Sequence, residues 1–119
     1  MSEVKLSIVI PCYNEELSIN KLLTDIYENF KDLKNYEIIL VDDGSHIVLK
    51  NKINSDLKKE NLEVIRNEFN KGQTASINIG IQHSKGSTIG LLDGDGQNPP
   101  SELKRMFEFY LKEEDNYDA

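Results

Sequence analysis

The chain has 119 residues, 38% apolar and 29% charged, which is enough for one small soluble domain with a real core but not for two. A net charge of −7 argues against a protein whose main work is on nucleic acid or an anionic lipid surface, although one nucleotide phosphate needs only local N–H groups and a cation. A single cysteine, Cys12, excludes an internal disulfide framework. No run approaches the roughly 18 apolar residues of a membrane span, so the expectation is a soluble, cytoplasmic chain with no membrane span of its own.

In chain order, Val4 to Ile10 is short, β-branched and closed by Pro11, which reads as a strand. Glu15 to Phe30 carries Ile19, Leu22, Leu23, Ile26 and Phe30 at helical spacing. Tyr36 to Val41 reads as a second buried strand, stopped by Asp42-Asp43-Gly44-Ser45. A weaker, Lys- and Asn-rich helix with a solvated face is expected around Val48 to Lys59. Leu62 to Arg66 is a third strand, Gly72 to Ser84 a helix with Gly86 as its stop signal, and Thr88 to Leu92 a fourth strand. Pro99-Pro100-Ser101-Glu102 then opens a helix with Leu103, Met106, Phe107, Tyr110 and Leu111 on one apolar face. Tyr117-Asp118-Ala119 reads as the approach to a fifth strand, so the chain is expected to be the front part of something longer, with an unpaired sheet edge that favours self-association.

This β-α alternation predicts an α/β fold over residues 1–119, a Rossmann-like parallel sheet with helices on both faces. Ligands of such sheets bind beyond the carboxyl ends of the strands. Those ends hold Pro11 to Glu15, Asp42 to Ser45, Asn67 to Gly72 and Asp93-Gly94-Asp95, and three of the four carry acids. The site is expected at that edge.

Leu91-Leu92-Asp93-Gly94-Asp95-Gly96-Gln97-Asn98-Pro99-Pro100 is the most informative stretch. If extended, it points Asp93, Asp95 and Gln97 to one side as three oxygen ligands, a set suited to Mg²⁺ or Mn²⁺ when a diphosphate completes the shell. The glycines leave room for a phosphate or sugar. Taken alone, an acidic Gly-rich turn and the Asp42-Asp43-Gly44-Ser45 turn are each as readily structural. Cys12 reads as a spacer, and His46 and His83 as surface residues without ligand spacing.

Four segments together resemble the nucleotide-binding half of a family 2 glycosyltransferase with the GT-A fold: IVIPCYNEE (Ile8 to Glu16), ILVDDGS (Ile39 to Ser45), NKGQTASINIGIQHSKG (Asn70 to Gly86) and LLDGDGQNPPSEL (Leu91 to Leu103). They occur in the family's order, and DGDGQNPP with NKGQTA is most similar to the polyprenyl-phosphate branch, which includes dolichyl-phosphate mannose synthases and undecaprenyl-phosphate sugar transferases. The resemblance implies metal-dependent transfer of a sugar from a UDP- or GDP-linked donor to an acceptor, a lipid phosphate or a glycan, at the cytoplasmic face of the membrane in the full-length protein. It places Pro11, Tyr13 and Glu15 around base and ribose, Asp42 or Asp43 on a base N–H, Lys71 near base or diphosphate, and Gly94 at the donor. Asp93, Asp95 and Gln97 become the metal set, with Asp95 the catalytic residue acting through the metal. The acceptor half and the general base are expected outside this chain, which alone is expected to bind nucleotide and transfer little.

Two other readings compete. A non-catalytic truncated fragment predicts the same motifs. A response-regulator receiver domain would need its acid pair after the first strand and several βα units after the phosphoacceptor; here the pair closes the second strand and one helix follows Asp93.

Overall fold

The structure, a computed structural model, describes residues 3–117, with side-chain surroundings through residue 113. Four strands form one parallel sheet: β1 (Leu6–Cys12), β2 (Tyr36–Asp42), β3 (Leu62–Arg66) and β4 (Thr88–Leu91), in the order β3-β2-β1-β4. The helices are α1 (Ile19–Asn29), α2 (Gln73–His83) and α3 (Pro100–Tyr117). β1 lies between β2 and β4, with Leu6 opposite both Tyr36 and Thr88.

Alternation along the strands divides the core between two faces. Leu6, Ile8, Ile10, Ile38 and Leu40 pack with Ile19, Leu22, Leu23, Ile26 and Phe30, as the helical spacing of the sequence predicts, and Phe107 of α3 joins that cluster. On the other face α2 lies close to the sheet because small residues meet it: a Cβ on Gly80 would fall 2.4 Å from Val9 Cγ1. The turn after α2 is held by Ser7, whose hydroxyl accepts from Gly86 N at 2.8 Å and donates to Glu37 at 2.6 Å. The predicted parallel sheet with helices on both faces is thus present.

Four local expectations are corrected. Residues 48–59 form not a helix but two 3₁₀ turns, Leu49–Lys52 and Ser55–Leu57. Between them the Asn20 carboxamide intercepts the backbone, donating to Lys52 O at 2.9 Å and accepting from Asn54 N at 2.8 Å. The apolar face of α3 is narrower than predicted: Phe107 is buried and Leu103 and Leu111 pack against the core, whereas Met106 is 66% and Tyr110 46% exposed. The buried three are spaced four apart, and the other two fall a step round the helix. No fifth-strand approach occurs at Tyr117, because α3 runs through it with no Gly or Pro after Pro100 to stop it; Asp118 and Ala119 lie outside the described residues. Finally, Asp93 to Gln97 is not extended. Gly96 N donates to Asp93 O at 3.2 Å, and Gly96 takes φ +79°, so the segment turns.

Candidate nucleotide site

All four strand ends open onto one edge, and a cavity of about 500 Å³ lies there. Pro11, Tyr13, Glu15, Asp43, Asp93, Gly94, Asp95 and Gln97 line it. Cys12, Asn70 and Gly72, within the strand-end segments, also contribute, as do Gln73 and Ser76, which the sequence does not single out. Gln73 and Ser76 sit one turn apart at the start of α2, and that spacing directly after a strand-end glycine was the available signal.

The first two loops are locked together. Asn14, in the left-handed region at φ 57°, donates its N–H to Ser45 Oγ at 2.9 Å, and its side-chain oxygen accepts from His46 N at 2.9 Å. This fixes Tyr13, whose ring lies 6.1 Å from that of His46, at the cavity wall.

The adjacent aspartates do different things. Asp42 is 1% exposed and does not line the cavity; its carboxylate accepts from Ser45 N, Leu49 N and Arg66 Nη1 at 3.1, 3.0 and 2.7 Å. Asp43 lines the cavity and shapes its far wall: Oδ1 accepts from Asn67 Nδ2 and Lys71 N at 2.9 and 2.8 Å, and Oδ2 from Gly72 N at 2.9 Å. Burial pushes both carboxyls up, but these hydrogen bonds outweigh it and hold them below the usual carboxylate range. Oδ2 of Asp43 retains capacity for a further donor. Lys71 contributes its backbone here; its ammonium lies 5.5 Å over the Phe69 ring and is not part of the cavity lining.

The acidic turn closes the opposite wall. Asp93 accepts from Gln73 Nε2 at 3.4 Å and Asn98 Nδ2 at 3.1 Å, and Asp95 Oδ1 accepts from Gln97 N at 3.0 Å. Ser18 Oγ donates to Gly94 O at 2.9 Å and lies 3.2 Å from Glu15 Oε2, tying the turn to the start of α1. Glu15 is raised above the usual range by burial, against the Ser18 hydrogen bond, with the charges of Asp95, Glu16 and Asp93 adding to the rise. One buried oxygen of Glu16 has no hydrogen-bond partner.

Glu15, Asp93 and Asp95 line the cavity, the two aspartates near enough for their charges to act on Glu15, and their oxygen donors suit a hard divalent cation. Among the described residues no three His, Cys, Asp or Glu side chains group into a complete metal site.

Comparison with known proteins bears on the family and the fold. The undecaprenyl-phosphate 4-deoxy-4-formamido-L-arabinose transferase of Aeromonas hydrophila is 40% identical over 111 residues, covering 90% of this chain and 34% of the relative. The structure of S. aureus TarS 1-349 in complex with UDP aligns with a TM-score of 0.69 at 26% identity, over 92% of this chain and 32% of that one. The fold is shared with the mannosyltransferase PcManGT from Pyrobaculum calidifontis, solved with GDP-Man and Mn²⁺, at a TM-score of 0.68 and 22% identity over 79% of this chain and 28% of that one. The chain thus spans about a third of the length of the curated relatives it matches. The model of the family described as Glycosyl transferase family 2 matches residues 7–118, nearly the whole sequence, and the chain belongs to that family.

Proposed function

We propose that the cavity binds the nucleotide diphosphate of a UDP- or GDP-linked sugar, as the donor site of an enzyme that transfers the sugar to a polyprenyl phosphate. The observation that carries this reading is the meeting of Tyr13, Asp43 and the Asp93–Gln97 turn around one cavity of about 500 Å³, drawn from three separate strand ends. Tyr13 offers a ring face for the base or ribose, and Asp43, an acceptor-only group already fixed by three N–H donors, offers Oδ2 to a base N–H. Pro11, Glu15 and Gly94 line the space between them. The buried Asp42 acts behind this wall, and Lys71 through its backbone.

Asp93 and Asp95, with Gln97, would hold a Mg²⁺ or Mn²⁺ ion beside the diphosphate. When bound, such an ion would offset the negative charge that gathers on the departing diphosphate as its bond to the anomeric carbon breaks. An acceptor phosphate oxygen, already anionic, forms the new bond to that carbon with little need of a base. The names of the undecaprenyl-phosphate relatives support the lipid acceptor, and the complexes of TarS and PcManGT support nucleotide and metal. Self-association fits the end position of β4, where Ile89 and Leu91 are exposed; a monomer at all concentrations in sedimentation would overturn it.

Calorimetric titration with UDP and GDP, each with and without Mn²⁺, tests the donor site and names the base. Binding of one nucleotide should strengthen with Mn²⁺, and Asp95→Ala should remove the metal-dependent part. Equal affinity in wild type and variant, with metal present, overturns the reading.

A further inference from the structure

The Lys-rich segment that sequence reads as a solvated helix face behaves differently in three dimensions. Lys50, from the first 3₁₀ turn, and Lys58 and Lys59, from the approach to β3, converge on a groove of about 190 Å³ with Leu62 and Val64 as its other walls. Among the described residues no carboxylate lines it. Nor, among those residues, does any of the three lysines make an ion pair, so no carboxylate already neutralises their charge. Lys59 is held in place, its ammonium 4.4 Å over the ring of Tyr27, whose hydroxyl is anchored on Leu57 O at 2.8 Å.

Guarding the open edge of β3 does not account for this, because the strand carries Glu63 and Arg66 of its own. Three lysines from two segments beside an apolar wall suit a compact anion attached to carbon. The overall charge of −7 does not forbid it, since charges beyond about 10 Å are screened at moderate salt. We infer that this groove binds a phosphate ester, either the headgroup of a phospholipid or a soluble phosphate. It is lined by none of the residues of the candidate donor cavity.

The test is an amide NMR titration of the whole chain, in one arm with inorganic phosphate and in the other with small vesicles of phosphatidylglycerol and phosphatidylcholine in equal parts. Both are run without metal, so the acid-lined donor cavity does not attract the anion. Shifts or broadening should centre on residues 50–52 and 58–64, and the arm that produces them names the source. Lys50→Glu, Lys58→Glu and Lys59→Glu together should weaken binding by at least about tenfold. A charge-matched set away from the groove, Lys34→Glu, Lys85→Glu and Lys112→Glu, should weaken it less than about threefold. If either set fails to fold, the corresponding glutamine variants replace it. No response in either arm, perturbation centred elsewhere, or equal losses in the two sets overturns the inference.

Discussion

The carboxamide of Asn67 donates to Asp43 Oδ1 at 2.9 Å, joining two buried side chains from the ends of neighbouring strands. Asp43 in turn holds the N–H groups of Lys71 and Gly72, so Asn67 governs the cavity wall without lining it. Asn67→Ala removes a donor from a buried carboxylate and should cost about 1–3 kcal/mol in urea denaturation. Amide exchange at Lys71 and Gly72 should accelerate with it. Unchanged exchange at both positions would separate Asn67 from the wall.

Asp42 supplies a pH dependence whose sign is fixed by its environment. Its folded carboxyl is depressed, so the stability it contributes is full above the unfolded value and is lost as pH falls through the folded one. Asp42→Asn should therefore be less stable than wild type at neutral pH, by about 1–3 kcal/mol, and the gap should close in acid. Denaturation curves across that range check it; a constant gap would mean the charge is not what matters.

Gly44 and Gly72 both have positive φ, at +71° and +100°, but their surroundings differ. A Cβ at Gly44 would lie 2.5 Å from the carbonyl carbon of Phe69, whereas none of the surrounding atoms comes within 4 Å of one at Gly72. Gly72→Ala should cost about 1 kcal/mol in backbone strain, and Gly44→Ala distinctly more, because backbone must move. Similar thermal denaturation midpoints for the two variants would contradict this.

Cys12 lines the cavity yet should not behave as a reactive thiol. Burial, with the charges of Glu15 and Asp42, pushes its ionisation far above the ordinary thiol range, and the sulfur lies 3.6 Å from Ile10 O. Reaction with a disulfide reagent at mildly alkaline pH should follow the rate of unfolding. Rapid labelling of the native chain would show an open path to the sulfur.

The hydrophobic periods made the framework readable. The core positions of α1, the β-branched runs and the span of β3 all follow from spacing, because burial on a helix or sheet face imposes a period that composition cannot hide. What was not readable depends on side chains reaching across the chain. Nothing local in Val48 to Lys59 shows that Asn20, some thirty residues earlier, will capture its backbone. Nothing in the Asp42-Asp43 pair shows that Asp42 will be held by Ser45, Leu49 and Arg66, the last on the neighbouring strand. The acidic motif reads as extended because it directly follows the apolar run of β4, and its glycines permit the turn instead.

The order of strands across the sheet also sets an order in time. β1 leaves the ribosome first, but its second neighbour, β4, is about 80 residues further along, and closing so long a loop is slow. The acids of the cavity's second wall follow directly on β4. The half of the pocket built by Tyr13 and Asp43 can therefore form early, while the half built by Asp93 and Asp95 completes only when β4 docks. In a nascent chain, ligand binding at this pocket would report that β4 has found its place.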